Sequence, residues 1–284
     1  MGKTVNFGDL PESCCALSSA EVVIVPVPYD RTSTWLKGAD KGPAAIIEAS
    51  ANMELYDIET DSEVYKKGIF TDEALPVELS PEEMVEAVRG RVENYIKQGK
   101  FVVVLGGEHS VSIGAIRAHC ESNQDVSVLQ LDAHSDLREE YDGSKYNHAC
   151  VMARAREIAP IVQVGIRSMD ICEKEFINKD NIFFAEDIYG STDWIDEVIA
   201  RLSDRVYVTI DLDVFDPSVV PATGTPEPGG LLWYDVLALL RTVFEKRNVV
   251  GFDVVELCPN DNSKPSDFLA AKLVYKLLSY KFAP

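Results

Sequence analysis

None of the six cysteines in this 284-residue chain stands in a CxxC pair or at a metal-ligand spacing. Cys14, Cys15, Cys120, Cys150, Cys172 and Cys258 are scattered. A chain this long builds a core without a disulfide framework, so reduced thiols are expected. No apolar run reaches the roughly 20 residues of a membrane-spanning helix. The N-terminus lacks a basic segment followed by an apolar stretch and a small-residue cleavage site, and after the Met1-Gly2 start Asn6 stands where myristoylation requires Ser or Thr. These absences predict a cytoplasmic protein with no membrane partner. Basic residues are also short: 27 Lys and Arg face 47 Asp and Glu, a formal net charge of -20. That balance argues against nucleic acid, whose phosphates need a basic face, and against anionic lipid surfaces. It suits a small cationic substrate. Histidine is scarce, with only His109, His119, His134 and His148.

What is present alternates. Val/Ile-rich runs at Glu21–Val27, Gly68–Thr71, Phe101–Leu105, Val126–Leu131, Ile161–Ile166, Ile182–Ala185, Val206–Ile210 and Val249–Val255 read as strands buried on both faces. Amphipathic segments lie between them. Ser80-Pro81-Glu82-Glu83 combines an N-cap serine, a first-turn proline and acidic residues, and Gly99 supplies the stop. Further helices are expected over 109–122, 147–158, 191–203, 232–246 and 265–281. No linker, repeat or low-complexity segment divides the chain. The expectation is therefore one α/β domain over residues 1–284, a three-layer α-β-α arrangement around a mostly parallel sheet of about eight strands. Such sheets place their sites outside the carboxyl ends of the strands.

Chemistry-bearing residues cluster at those ends. Asp132-Ala-His134-Ser-Asp136 follows one strand and Asp211-Leu-Asp213 another. Period-two spacing on an extended backbone would send each set to one side. A single aspartate there is as readily a cap or a turn former. Several carboxylates brought together need cations between them, and imidazole with carboxylate suits Mn²⁺, Zn²⁺ or Fe²⁺. Gly106-Gly107-Glu108-His109-Ser110 follows a third strand; its glycines would allow a sharp turn and close approach to a ligand, with His109 opening the next helix. The Pro- and Gly-rich stretch from Asp211 to Gly230 should form a long shaped loop, in which Asp216 before Pro217 is a turn residue. Glu256, closing the last strand in Asp253-Val-Val-Glu256-Leu-Cys-Pro259, needs a cationic partner, which an internal Arg or Lys could also supply. His119, mid-helix, has no assigned role.

Together these segments resemble the ureohydrolase family of arginases and agmatinases, from Pro26-Val-Pro-Tyr-Asp30 and Gly38-Ala-Asp-Lys-Gly42-Pro43 through Pro221-Ala-Thr223-Gly-Thr225-Pro to Glu256. The resemblance implies an arginase-like fold and two Mn²⁺ per chain. His109 and Asp136 would hold one ion, His134 and Asp213 the other, and Asp132 and Asp211 would bridge both. A hydroxide between the ions would attack a guanidinium carbon. Asp136 would pass a proton to the leaving nitrogen, His148 would shuttle protons, and Glu256 would pair with the guanidinium, with Thr225 lining its pocket. The loop Leu137–Ser144 lacks the arginase pattern and is similar to agmatinases, so agmatine, hydrolysed to putrescine and urea, is the expected substrate. Glu139, Glu140 and Asp142 suit a distal ammonium; Arg138 could instead bind a carboxylate such as that of 4-guanidinobutyrate. Other guanidino substrates, including arginine, a non-catalytic metal-binding protein of the same fold and a single-zinc deacylase stay open. The resemblance also implies a homo-oligomer, a trimer or hexamer.

Overall fold

The Val/Ile-rich runs become strands because the side chains on both of their faces find apolar cover. In the computed structural model, which describes residues 6–283, these strands are β1 (Val22–Val27), β2 (Ile69–Thr71), β3 (Phe101–Gly106), β4 (Val126–Leu131), β5 (Ile161–Ile166), β6 (Ile182–Phe184), β7 (Arg205–Asp211) and β8 (Asn248–Val255). The Met1-Gly2 start lies outside the described residues. Every pairing is parallel, in the order β2-β1-β3-β8-β7-β4-β5-β6. The expected mostly parallel sheet is wholly parallel, and its eight strands form one continuous sheet.

The helices are α1 (Glu12–Cys15), α2 (Gly42–Ser50), α3 (Pro81–Lys97), α4 (Ser112–Ser122), α5 (Val151–Ala155), α6 (Ala185–Ile188), α7 (Trp194–Arg201), α8 (Trp233–Lys246) and α9 (Pro265–Phe282). Ser80 caps α3 as its sequence predicts: its hydroxyl accepts the Glu83 N–H, and the Glu83 carboxylate accepts the Ser80 N–H. Two apolar layers sandwich the sheet. Val22 and Ile24 belong to the layer that contains α2, α7, α8 and α9, while Val23, Val25 and Val27 belong to the layer that contains α3, α4 and α5. Alternate residues of one strand thus serve opposite layers, so the sequence reads as continuously apolar. Two expected helices are shorter than their patterns: His109–Val111 and His148–Cys150 are 3₁₀ turns that precede α4 and α5. Among the described residues no helix is long and apolar enough to cross a membrane.

Topology creates the crevice. Strands β3 and β4 are consecutive in the chain, yet β8 and β7 lie between them. The four central strand ends therefore converge where the chain changes direction across the sheet.

One buried ion pair ties α9 to the loop after α2. Lys276 Nζ lies 2.9 and 3.0 Å from the two Asp57 carboxylate oxygens, with both residues buried. Burial alone would raise the Asp57 pKa, but the Thr60 N–H and Lys276 outweigh it and hold it below the ordinary carboxylate value. Lys276→Met should destabilise the protein by about 3 kcal/mol, the scale of removing one member of a buried pair. A depressed carboxylate contributes stability that is fully present above its unfolded pKa of about 3.9 and lost as pH falls through the folded value. The gap between wild type and variant in urea denaturation should therefore close below about pH 4. A gap that persists there would assign the loss to packing rather than charge.

Candidate active site

The four central strands deliver the carboxylates and imidazoles to one place. Asp132 follows β4, Asp211 ends β7, His109 opens the turn after β3, and Glu256 follows β8. His109 Nδ1 lies 3.1 Å from Asp132 Oδ2, 3.0 Å from Asp136 Oδ2 and 3.4 Å from Asp211 Oδ2. His134 Nδ1 lies 2.9 Å from Asp213 Oδ2 and 3.6 Å from Asp132 Oδ1. Two ligand groups result, His109–Asp132–Asp211 and Asp132–His134–Asp213, and Asp132 belongs to both.

Local geometry departs from the simple extended pattern. Asp136 has φ 51° and Glu256 φ 65°, both in the left-handed region that non-glycine residues seldom adopt. Held by their surroundings, such conformations aim side chains that an extended chain would direct elsewhere. Asp213 sits in a 3₁₀ turn because Asp211 Oδ1 accepts its N–H at 2.9 Å and folds the chain back. His134 keeps one extended contact, a bridge to Ser168. The Gly106-Gly107 pair serves packing and not close approach to a ligand. A Cβ on Gly107 would lie 2.0 Å from the Tyr29 carbonyl oxygen, and one on Gly106 2.7 Å from Val255 Cγ1.

The electrostatics are those of crowded acids. Burial and the Asp132 charge push Asp136 up to about 7. Burial, with Asp213 beside it, raises Asp211 well above the carboxylate range; burial, with Glu108 beside it, does the same to Glu256. Burial would lower the two histidines, yet the carboxylates around them win, holding His109 well above its ordinary value and His134 at about 12. His109 Nδ1 is buried without a hydrogen-bond partner while facing three carboxylate oxygens. An orphaned imidazole nitrogen among hard oxygen donors fits a divalent metal ion.

His148 belongs to a separate network. Its Nδ1 lies 3.2 Å from Thr32 Oγ1, which also accepts the His148 N–H at 3.0 Å. Thr32 Oγ1 donates at 2.7 Å to Oε1 of Glu108. That carboxylate is fully buried and also receives the N–H groups of Thr32 and Ser33 and the Ser110 hydroxyl. With the Thr32 proton committed to Glu108, His148 Nδ1 must donate, which leaves Nε2 unprotonated. Burial, with the positive His109 and His134 nearby, lowers His148 to about 4. Sequence reasoning misses the roles of Glu108 and Thr32. A glutamate inside a buried strand-to-helix turn signals a need for partners, whereas Thr32 lies too far along the chain from Glu108 to be found by spacing.

All six expected metal ligands except Asp132 line a cleft of about 260 Å³, together with His148, Glu256, Thr225 and Arg138. Glu256 Oε1 accepts the His109 N–H at 2.7 Å. Arg138 is already engaged: Nη2 lies 3.3 Å from Asp170 Oδ2, Nε lies 3.5 Å from Glu173 Oε1, and the guanidinium stacks over Tyr141. Glu139 pairs with Arg154 and Arg156, so its charge is used within the protein. Asp216 behaves as the turn residue expected, accepting the N–H groups of Ser218, Gly229 and Gly230 and closing the long loop. His119 packs fully buried against Tyr207. Trp35, 67% exposed, stands at the cleft's rim.

Known proteins resemble this chain in sequence and fold. The model of the arginase family matches residues 20–279. A Synechocystis sp. protein named N(1)-aminopropylagmatine ureohydrolase is 40% identical over 280 residues, which is 95% of this chain and 92% of that protein. An agmatinase of Pyrococcus horikoshii is 33% identical over 92% of both chains. The crystal structure of the agmatine ureohydrolase of Thermoplasma volcanium superposes with a TM-score of 0.88 at 32% identity, covering 99% of this chain and 95% of that one. With matches that run nearly end to end, the chain belongs to the arginase family and is a hydrolase of amidino carbon–nitrogen bonds.

Proposed function

We propose that the protein is a manganese-dependent ureohydrolase that splits N(1)-aminopropylagmatine into urea and spermidine, and agmatine, more slowly, into urea and putrescine. The observation that carries the reaction class is the pair of ligand groups sharing Asp132 at the foot of an acidic cleft walled by Glu256. The longer substrate is supported by the 40% identity to a protein of that name, against 33% to an agmatinase. Agmatine, expected from the sequence, remains the second substrate because its guanidinobutylamine portion is common to both. Engagement of Arg138 by Asp170 and Glu173 weighs against a carboxylate-bearing substrate.

Residues His109, Asp132, His134, Asp136, Asp211 and Asp213 would hold two Mn²⁺. The ions supply the chemistry of a divalent pair, lowering the pKa of water toward neutrality and stabilising negative charge as it develops. Glu256 pairs with the cationic guanidinium and fixes its carbon over the ligand groups. Water adds to that carbon, and the bond to the alkyl nitrogen breaks. The alkyl nitrogen leaves as an amine after taking a proton, and urea remains. Asp136 would receive the proton lost from water and pass it to the alkyl nitrogen. His148, with Nε2 unprotonated, would act as a base on the cleft wall and hand protons on to solvent. Thr225, on the cleft wall, borders the guanidinium. Copies of the chain are proposed to associate, since Ile58 and Tyr234 stay 84% and 80% exposed and line one groove with Tyr56 and Phe268; the trimer or hexamer is what the resemblance implies.

The test is urea release from aminopropylagmatine, agmatine, 4-guanidinobutyrate and arginine, with Mn²⁺ supplied and metal content measured. Turnover confined to guanidinobutyrate or arginine would reject the substrate and keep the reaction. Metal binding with no turnover would favour a non-catalytic protein, and about one ion per chain the single-zinc arrangement. Thr32→Val, which removes the hydroxyl that holds His148, should lower kcat by roughly 10- to 100-fold, part of the contribution of a placed acid–base group. KM and metal content should stay near wild type. An unchanged kcat would show that His148 needs no such hold.

A further inference from the structure

We infer that Asp253 is a positioning residue for the metal centre, acting through the Thr209 hydroxyl to hold His109 in the tautomer that presents a bare Nδ1. This rests on the metal-centre reading above. Thr209 on β7 and Asp253 on β8 are direct register partners, and both are fully buried. Thr209 Oγ1 donates to Asp253 Oδ1 at 2.7 Å, and the Tyr207 hydroxyl donates to Asp253 Oδ2, also at 2.7 Å. Ser112 Oγ, 3.4 Å from Thr209 Oγ1, is the more distant neighbour.

A hydroxyl has one proton to give. With that proton on Asp253, Thr209 Oγ1 can only accept from His109 Nε2, 2.8 Å away. A cation at the site would displace the second ring proton that the carboxylates favour, and the one remaining proton is thereby fixed on Nε2. Nδ1, buried and unpartnered among the oxygens of Asp132, Asp136 and Asp211, would then offer its lone pair to the cation. A metal-bound histidine commonly donates its other N–H to an outer carboxylate or carbonyl; here a threonine relays that demand between neighbouring strands. An asparagine at position 253 would present an NH₂ to one of the two hydroxyls. With the NH₂ toward Thr209, that hydroxyl would be free to donate to Nε2, driving the ring proton to Nδ1, where it opposes a cation.

The experiment is Mn²⁺ binding to the full-length protein, by chelator competition, for wild type and four variants. Melting in the absence of metal monitors the fold. Asp253→Asn and Thr209→Val should each weaken binding about 10- to 100-fold, the usual effect of losing an outer partner of a metal ligand. Thr209→Ser, which keeps the hydroxyl, should bind as wild type. Tyr207→Phe separates positioning from packing: it removes a donor to Asp253 but leaves the Thr209 relay, so its affinity should stay near wild type. Wild-type affinity in Thr209→Val, or an equal loss in Tyr207→Phe, would overturn the inference. Should Asp253→Asn not fold, the contrast between Thr209→Val and Thr209→Ser decides alone. Failure of wild type itself to bind Mn²⁺ would instead overturn the metal-centre reading.

Discussion

Replacing Asp132 with alanine is expected to remove both metal ions and urea release together, with activity down by more than about 10³-fold. Losing an outer partner of a metal ligand costs roughly 10- to 100-fold, and Asp132 is placed nearer than that. Its Oδ2 faces His109 Nδ1 and its Oδ1 faces His134 Nδ1, so one carboxylate reaches both ligand groups. Two donors fix the side chain in this orientation, Gln130 Nε2 to Oδ2 at 2.7 Å and the His134 N–H to Oδ1 at 2.5 Å. Asp211, the other expected bridge, is placed differently. Its Oδ1 receives the Asp213 N–H, and its Oδ2 faces only the His109 group. Asp211→Ala should therefore weaken the His109-side ion before the other, a graded loss where Asp132→Ala gives a complete one. Metal analysis after gel filtration, beside a urea assay on the same fractions, reads both. Two ions per chain and full turnover in Asp132→Ala would sink Asp132 as the ligand shared by both ions.

The legible parts of this protein are those set by local composition. Each strand stands out because parallel strands covered on both faces need apolar side chains nearly throughout, and Val126–Leu131 and Ile161–Ile166 are such runs. The ligands stand out because carboxylates and scarce histidines directly follow such runs. Helix α2 has no comparable mark: it begins at Gly42-Pro43, residues that also mark loops, and its packing against α9 depends on contacts far along the chain. The left-handed backbones at Asp136 and Glu256 are equally silent, because nothing in an aspartate or glutamate announces positive φ. The supporting groups are hidden for another reason. Thr209 is an ordinary residue in a β-forming run, and its value comes from register with Asp253, which only strand order supplies. Thr32 likewise matters through Glu108 and His148, both distant in sequence.

Glu256→Gln should lower kcat/KM by roughly 10²- to 10³-fold while leaving metal content and melting temperature near wild type. Truncating one partner of a desolvated charge pair typically costs about 2–5 kcal/mol, and beyond the metal ligands the cleft's other carboxylates, Asp170 and Glu173, are engaged by Arg138, which leaves Glu256 for a guanidinium. Glu256 Oε1 is occupied by the His109 N–H, so Oε2 is the oxygen left for substrate. Glutamine can keep the first contact through its carbonyl. It must then present an NH₂ where Oε2 stood, and donor would meet donor at the guanidinium. Loss of charge and loss of acceptor thus coincide at the substrate and spare the histidine. Glu256 has a competing structural role, because its bond to the His109 backbone could instead anchor a metal ligand. That role predicts the opposite pattern: Glu256→Gln would keep the bond and the activity, whereas Glu256→Ala would shed metal before turnover is measured. Kinetics and metal content on the two variants distinguish a residue that holds the substrate from one that holds the centre.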